Sequence, residues 1–337
     1  MAESRLCVVK RCTMADVTQF MGGGEKAGRY VLCGVEVTRG SPDIAAEMAA
    51  REAKAPSIQH IDFLQLPKAD TSTVKLAGKL LQSKCRIDGR GVNQRRSLRI
   101  KKYVKPGHVY LSLGNTDVFV AINGEISEPN LERPNEGTLA FYVEVAPMCS
   151  QVYEPGRQTE HEEQLLQILE KAFKDSGAVD VESLCIVAGR YVWSLRIDVH
   201  VQQNDGNLQD ACVLAVLAAL MTFRKPDTSA SDGDADAIQL NAYYTSPLNL
   251  YHMPIHVAVG LLEDSEHCVV DTNSFEELFV KTHVSLLFNH FGDLFAIQKH
   301  GGGGITLERI DQAIKVGREA AVDMYKTVAA RLSKKHT

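Results

Sequence analysis

The chain has 337 residues, of which 45% are hydrophobic and 23% charged, and its formal net charge is −5. These values are ordinary for a globular protein, and they exclude a polycation that binds nucleic acid over its whole surface. The eight cysteines form no C-x-x-C pair, which disfavours a zinc site. Because there is no signal-peptide pattern and no apolar run long enough to span a bilayer, we expect an intracellular protein without a membrane partner.

Composition and periodicity divide the chain into two parts. Residues 1–72 are mixed and weakly periodic, and we interpret them as an N-terminal extension. A domain follows at 73–332, in two subregions at about 73–223 and 238–332. The acidic, aperiodic segment 225–237 between the subregions is rich in small residues, and this composition predicts an exposed loop.

A basic segment runs from Lys84 to Lys105 and includes Arg95 and Arg96. Nine basic residues accompany a single acid there, and part of the segment alternates apolar with charged residues, which predicts a half-exposed strand. One interpretation is a solvated strand face that also serves as an interface. The alternative is contact with a phosphate backbone.

Elements with clear periodicity follow along the chain. The polar segment 123–137 predicts a loop, in which Arg133 lies among four glutamates. Thr159, with Glu162 three residues later, forms a capping box and predicts the start of a helix. Strands are predicted where apolar and polar residues alternate, at 108–113, 117–122 and 138–145, and as a hairpin at 282–298.

The strongest pattern lies between Tyr191 and Phe223. Residues 191–201 alternate without a fault, which predicts a one-faced strand, whereas residues 211–223 are apolar on all sides, which predicts a helix buried on all sides. Asn207 stands where it would cap that helix, and Asp210 falls in its first turn. The order of elements predicts an α+β protein with helices packed on mixed sheet.

Several short motifs follow one another along the chain. They are Arg86-Ile-Asp-Gly-Arg90, Gly156-Arg157-Gln-Thr, Glu182 to Gly189 before Trp193, Asp205-Gly-Asn207, His252-Met-Pro254 and Val270-Asp271. Taken in this order, they resemble the motifs of RNase PH-like proteins and, within that family, those of exosome-ring subunits of the polymyositis–scleroderma autoantigen type. The resemblance covers about residues 75–330 and implies the RNase PH fold, with β-α-β layers like those of a ribosomal protein domain 2.

The resemblance also implies partners. Members of this type assemble with other RNase PH-like subunits into a hetero-hexameric ring, which RNA-binding cap subunits cover and through which RNA passes for processing or degradation. We therefore expect the protein in the nucleus, including the nucleolus, and in the cytoplasm. The extension at residues 1–72 lies outside the resemblance, and we expect it to contact neighbouring proteins.

Active members of the family cleave RNA with phosphate, which requires carboxylates that hold a metal ion. Asp271 and the pair Glu276-Glu277 are present, but the two further acids that the family pattern implies would fall near Leu278 and Val284. Apolar side chains bind no magnesium. The resemblance therefore implies a subunit without catalytic residues, metal or cofactor.

Two alternatives remain open. The chain is an active phosphate-dependent 3′-to-5′ exoribonuclease if its acids come from elsewhere, such as Asp198 or Asp210, or if a partner completes the site. A small-molecule enzyme with the same layering is the third hypothesis, and it would bind a nucleotide at the glycine run 301–304.

Four arginines are predicted to contact RNA or phosphate. By resemblance, Arg157 belongs to the family's phosphate pocket, and without a metal it either binds an RNA phosphate or orders its own loop. The loop that carries Arg133 approaches the central channel of the ring, where an arginine would track passing RNA without reading its sequence. Arg95 and Arg96 are the other two, and they are predicted because they lie in the basic segment.

Overall fold

A computed structural model gives the fold, and the chain divides into two units, residues 1–62 and 63–337. In the first unit, strands β1 (Arg29–Leu32) and β2 (Val35–Thr38) pair antiparallel. The structure describes residues 29–32, 35–38, 79, 86, 88–149, 159–230, 238–262, 267–278, 280, 282–301 and 304–333.

The larger sheet of the second unit has six strands in the order β3-β4-β5-β8-β6, with β7 paired to β8. Strand β6 runs parallel to β8 and the other pairs are antiparallel, so the predicted mixed sheet is confirmed. The strands are β3 (Leu98–Lys102), β4 (His108–Leu113), β5 (Thr116–Ser127), β6 (Thr138–Val145), β7 (Cys185–Val187) and β8 (Tyr191–Gln203).

Two helices cover one side of this sheet. Helix α1 (Glu160–Leu169) begins at the predicted capping box of Thr159 and Glu162, and it continues as a π-type turn over Glu170–Asp175. Helix α2 (Leu208–Thr222) is buried along almost its whole length. It contacts β4 and β5 of the larger sheet as well as a strand of the second sheet, which explains why it has no polar face.

The second sheet has four antiparallel strands in the order β12-β11-β13-β14. The last helix packs against β11, β12 and β13, on the sheet face that carries Leu286 and Phe288. These elements are β11 (Ile255–Leu261), β12 (Cys268–Val270), helix α3 (Ser274–Glu277), β13 (Thr282–Phe288), β14 (Leu294–His300) and helix α4 (Leu307–Ser333).

Two predicted loops are partly wrong. Residues 224–230 form strand β9 (Arg224–Ala230), which pairs antiparallel with β10 (Ile238–Pro247), so only 231–237 of the predicted loop lies outside the described residues. Likewise β5 extends to Ser127, into the predicted loop at 123–137. In both places the hydrogen bonds of a neighbouring strand satisfy the backbone, and they override a composition that disfavours strands.

No helix in the described part of the chain combines the length and the apolar character that crossing a membrane requires.

Candidate functional site

Three segments meet at the N-terminus of α2: the turn before β3, the residues after β12, and the start of α2 itself. They bring together five charged side chains, which we call the arginine–acid cluster. Both acids of the cluster are about 1% exposed, so their charges need partners within the protein. The cluster consists of Arg86, Arg90, Arg96, Asp271 and Glu276.

Asp271 is bound from three directions. Its carboxylate accepts hydrogen bonds from Arg96 Nη2 at 2.7 Å and from the Arg96 backbone N–H at 2.8 Å. Asn207 Nδ2 donates to it at 3.0 Å, and Arg90 lies at 3.3 Å. Burial by itself would raise the pKa of Asp271, but the hydrogen bonds and charge of Arg96 outweigh burial and lower the pKa below 3.8. Asp271 is therefore held as a carboxylate.

Glu276 is paired with Arg86. Arg86 Nε donates to Glu276 Oε1 at 2.8 Å, and a second hydrogen bond joins Nη2 to Oε2. Arg86 also donates to the backbone carbonyls of Val270 at 2.9 Å and of Asp271 at 2.7 Å. A bidentate pair of this kind fixes both side chains. Both acids thus bind arginines. The bonds of Arg86 also connect the turn before β3 to residues 270–276.

The two positions where the family pattern implies acids carry no polar group. Leu278 is exposed at the end of α3, and Val284 is buried on the α4 side of β13. Because side chains alternate along a strand, His283 and Ser285 face the other way. Across the described ranges, no three His, Cys, Asp or Glu side chains are arranged to hold a metal ion.

His283 and Ser285 belong to a polar sheet face that is directed toward α1 and α2. A cavity of about 190 Å³ lies over it, which we call the histidine cavity. Glu277 lines this cavity and accepts a hydrogen bond from the Asn207 backbone N–H at 2.7 Å, while burial raises the pKa of its carboxyl. The lining includes His161, Gln164, Asn204, Asn207, Gln209, Thr272, Glu277, His283 and His300.

The imidazoles of this face are buried without full hydrogen bonding. Nε2 of His256, His283 and His300 has no hydrogen-bond partner in the structure, although His256 Nδ1 lies 2.6 Å from Asp210 Oδ1. Burial lowers the pKa of His283 to about 4, with a further contribution from the charge of His300, and burial also lowers the pKa of His300. Both rings are therefore neutral near pH 7.

The predicted arginines lie in different settings. Arg96 donates to Asp271 and to the carbonyls of Asp205 and Gly206, so its guanidinium is used within the protein. All three guanidinium nitrogens of Arg95 are buried and have no hydrogen-bond partner, and burial lowers the pKa of Arg95. Arg133 is exposed at the loop surface and pairs with Glu136 at 3.1 Å. Arg157 lies outside the described residues.

The acids named for an active enzyme also have structural partners. Asp198 accepts from Arg196 Nε at 2.8 Å on the surface of the larger sheet. Asp210 bonds to His256 and accepts the Ala258 backbone N–H at 2.9 Å, deep between the two sheets. Asp198 therefore lies at the surface of the larger sheet, whereas Asp210 is connected to Asp271 through the Asn207 side chain, which donates to both carboxylates.

Asn207 corrects one expectation. It occupies the N-cap position of α2, but its side chain makes no capping bond and instead donates to Asp210 at 2.8 Å and to Asp271. The backbone of Asn207 is left-handed, with φ of 53°. Neither the arginine–acid cluster nor the histidine cavity was foreseen from the sequence, since each joins residues from distant segments. The alternation of β13 and β14 alone shows that His283 and His300 fall on one face.

Comparison with known proteins gives consistent matches. Two models of one family match the chain in order: the 3′ exoribonuclease family, domain 1, at residues 90–226, and domain 2 of the same family at residues 252–320. A chain of the Archaeoglobus fulgidus exosome, solved with RNA bound to the active site, superposes with a TM-score of 0.66 at 27% identity. The match covers 76% of this chain and 97% of that chain, and it confirms the predicted fold.

Two plant proteins are similar over about three quarters of the chain. Exosome complex component RRP45A of Arabidopsis thaliana is 37% identical over 250 residues, which is 73% of this chain and 81% of that protein. Exosome complex component RRP45B of the same plant is 36% identical over 257 residues, 75% of this chain. This match spans only 59% of the length of RRP45B.

Proposed function

The chain belongs to the RNase PH family of 3′ exoribonuclease-type proteins, and we propose that it is a non-catalytic structural and RNA-path subunit of an RNA exosome ring. In this role it supports 3′-to-5′ processing and degradation of RNA that other subunits of the complex carry out. Its relatives are named as exosome complex components, and the similar archaeal chain is part of an exosome.

One observation carries the proposal that this chain is not itself catalytic. Of the acids that remain from the family pattern, Asp271 and Glu276 are held by arginines and Glu277 accepts the Asn207 backbone N–H, while the positions of the other two are Leu278 and Val284. Phosphorolysis places negative charge on a transferring phosphoryl group, and the enzyme offsets it with a metal ion held by carboxylates. A carboxylate that already binds two arginines has little capacity left for such an ion.

Phosphate-dependent release of nucleoside diphosphates tests this proposal. We expect none from the purified chain, and none from its complex with a ring neighbour beyond the activity of that neighbour. Asp198→Asn and Arg157→Ala serve as diagnostic variants, because Asp198 lies outside the buried cluster and the resemblance implies a phosphate-pocket role for Arg157. Release that either substitution in this chain abolishes would contradict the proposal and favour an enzyme with relocated acids or a partner-completed site.

Arg133 is the residue we assign to the RNA path. Its side chain is 72% exposed, and its single ion pair with Glu136 lies at the surface, where such pairs are weak. The guanidinium is therefore free to exchange a carboxylate for a phosphate of passing RNA. Arg157 is assigned to the same path by the resemblance, whereas Arg95 and Arg96 of the basic segment would reach RNA only if the buried guanidinium of Arg95, or that of Arg96 bound to Asp271, were released.

RNA binding by an assembled ring tests the role of Arg133. We expect Arg133→Ala to weaken binding by about the same factor for every RNA sequence and to reduce the salt dependence by roughly 0.7 in log–log slope, the value for one phosphate contact on a single strand. Lys315→Ala, on the exposed face of α4, is the control of equal charge. Equal effects of the two substitutions on RNA binding would contradict the assignment of Arg133 to the RNA path.

The proposed partners follow from the same role. They are other RNase PH-like subunits in a hetero-hexameric ring, RNA-binding cap subunits and the RNA itself, with the protein in the nucleus, including the nucleolus, and in the cytoplasm. Residues 1–72 are proposed to contact neighbouring proteins. Gentle affinity purification followed by measurement of the mass of the assembly tests the ring, because a chain recovered without RNase PH-like partners would contradict it.

A further inference from the structure

The histidine cavity is built around a pair of imidazoles on neighbouring strands. His283 on β13 and His300 on β14 are directly opposite each other in the antiparallel register. Opposite residues in such a pair point to the same face, with Cβ atoms roughly 4.5–5.5 Å apart. Both rings line the cavity. Two imidazoles so placed can reach a single atom that lies between them.

Each of these rings has an atom without a use inside the protein. Nε2 of His283 and Nε2 of His300 are buried and have no hydrogen-bond partner. A neutral imidazole has one donor and one acceptor, and burial of such an atom without a partner is unfavourable. Each Nε2 can therefore offer a lone pair to a metal ion when the ring carries its proton on Nδ1.

The surroundings of the pair suit a cation. Glu277 lines the same cavity, and burial raises the pKa of its carboxyl. His161 on α1 lies at the rim of the cavity. In the arrangement seen, no three such groups stand at coordination distance within the described residues, so further ligands are water or a side chain that rotates inward.

We propose that His283 and His300 form a two-imidazole site for a divalent transition-metal ion of the zinc class, in the cavity between β13, β14 and α1. Imidazole nitrogen selects Zn²⁺, Co²⁺, Ni²⁺ or Cu²⁺ over Mg²⁺, which prefers oxygen ligands. Zinc lies about 2.0–2.1 Å from a histidine nitrogen. The site is separate from catalysis and does not depend on the proposed role in the ring.

The proposal differs from the sequence-based expectation of no metal. That expectation rested on the cysteine spacing and on the missing acids at Leu278 and Val284. Neither observation concerns these histidines. His283 and His300 are 17 positions apart in the chain and come together only through the register of β13 and β14. No local spacing motif therefore marks them.

Titration of the metal-free, untagged full chain with Co²⁺, followed by its visible absorption band, tests the site. We expect one tightly bound ion, displaced by Zn²⁺ and not by Mg²⁺. His283→Gln and His300→Gln, which retain polarity and approximate size, should each weaken binding by more than about 100-fold, since even changes outside a coordination shell cost roughly 10- to 100-fold.

His108→Gln provides the matched control. His108 also has a buried Nε2 without a partner, but it lies on β4 in the other sheet, so its replacement should leave Co²⁺ binding unchanged. Thermal unfolding supplies a second readout that needs no variant: Zn²⁺ should raise the Tm of the wild-type chain. Absence of the Co²⁺ band in the wild type, or equal binding by the wild type and His283→Gln, would overturn the proposal.

Discussion

Two regions beside the N-terminus of α2 differ in whether their buried polar groups have hydrogen-bond partners. In the arginine–acid cluster, both buried carboxylates meet guanidinium groups at hydrogen-bond distance. In the histidine cavity, His283 and His300 keep a buried nitrogen without a partner. The two regions share Asn207, whose side chain serves the cluster while its backbone N–H serves Glu277 in the cavity. The comparison teaches that polarity alone does not mark a binding site. A region with all charges paired is part of the framework, whereas two unpaired buried nitrogens on residues directly opposite each other indicate room for a shared ligand.

The largest effect should come from removing one side of the buried pair in the cluster. Arg86→Met removes the bidentate partner of buried Glu276 and leaves only Arg90 at 4.0 Å, and we expect a loss of about 3–5 kcal/mol in the free energy of unfolding. Urea unfolding measures it. The double variant Arg86→Met with Glu276→Leu should recover most of the loss, because two apolar side chains then face each other. A double variant as unstable as the single one would contradict a framework role.

Asp271→Asn tests whether the charge of Asp271 holds the cluster. Asparagine is isosteric and tolerates the left-handed backbone of this residue, but hydrogen bonds to a charged group are lost, and we expect about 2–3 kcal/mol less stability at pH 7. Because the folded pKa lies below the ordinary 3.8, the carboxylate stabilises fully above that value and loses its effect as the pH falls through the folded pKa. The difference between wild type and variant should therefore shrink below about pH 4. A constant difference in pH-dependent thermal unfolding would argue against a charge effect.

Close backbone packing beside the cluster gives the next effect. Gly206 has φ of +83°, and a Cβ there would lie 2.5 Å from the backbone of Asn273 and Ser274. We expect Gly206→Ala to cost about 2 kcal/mol through strain and steric overlap. Gly189→Ala is the control, since its φ is also positive, at +75°, but nothing lies within 4 Å of the added Cβ. Chemical unfolding of both variants separates backbone strain from packing, and equal losses would contradict close approach at Gly206.

The smallest effect is expected in the cavity. His300→Gln removes a ring nitrogen that has no partner, so in metal-free buffer we expect the free energy of unfolding to change by no more than about 0.5 kcal/mol. The contrast with Arg86→Met is the sharpest test of the difference between the two regions. A loss of several kcal/mol would show that His300 is a framework residue like those of the cluster.

Local sequence signals predicted the elements better than the site. The capping box at Thr159 and the apolar helix 211–223 depend on neighbours a few residues apart, and both were confirmed. Strand β9 was missed because its pairing with β10 is not encoded in its own composition, which is polar and rich in small residues. The positions of Arg96 and Asn207 could not be predicted, since their partner Asp271 lies 175 and 64 residues away. Sites formed by such distant residues require the fold.

The pairing of Arg86 with Glu276 has a consequence for synthesis of the chain. The two residues are 190 positions apart, so at roughly 5–20 residues per second a ribosome adds Glu276 about 10–40 s after Arg86. During that interval the guanidinium has no permanent counter-ion, and the first half of the domain cannot close around it. The domain can therefore complete its fold only after its second half has been synthesised. Until then, the nascent chain exposes to chaperones the apolar surface that the second half will cover.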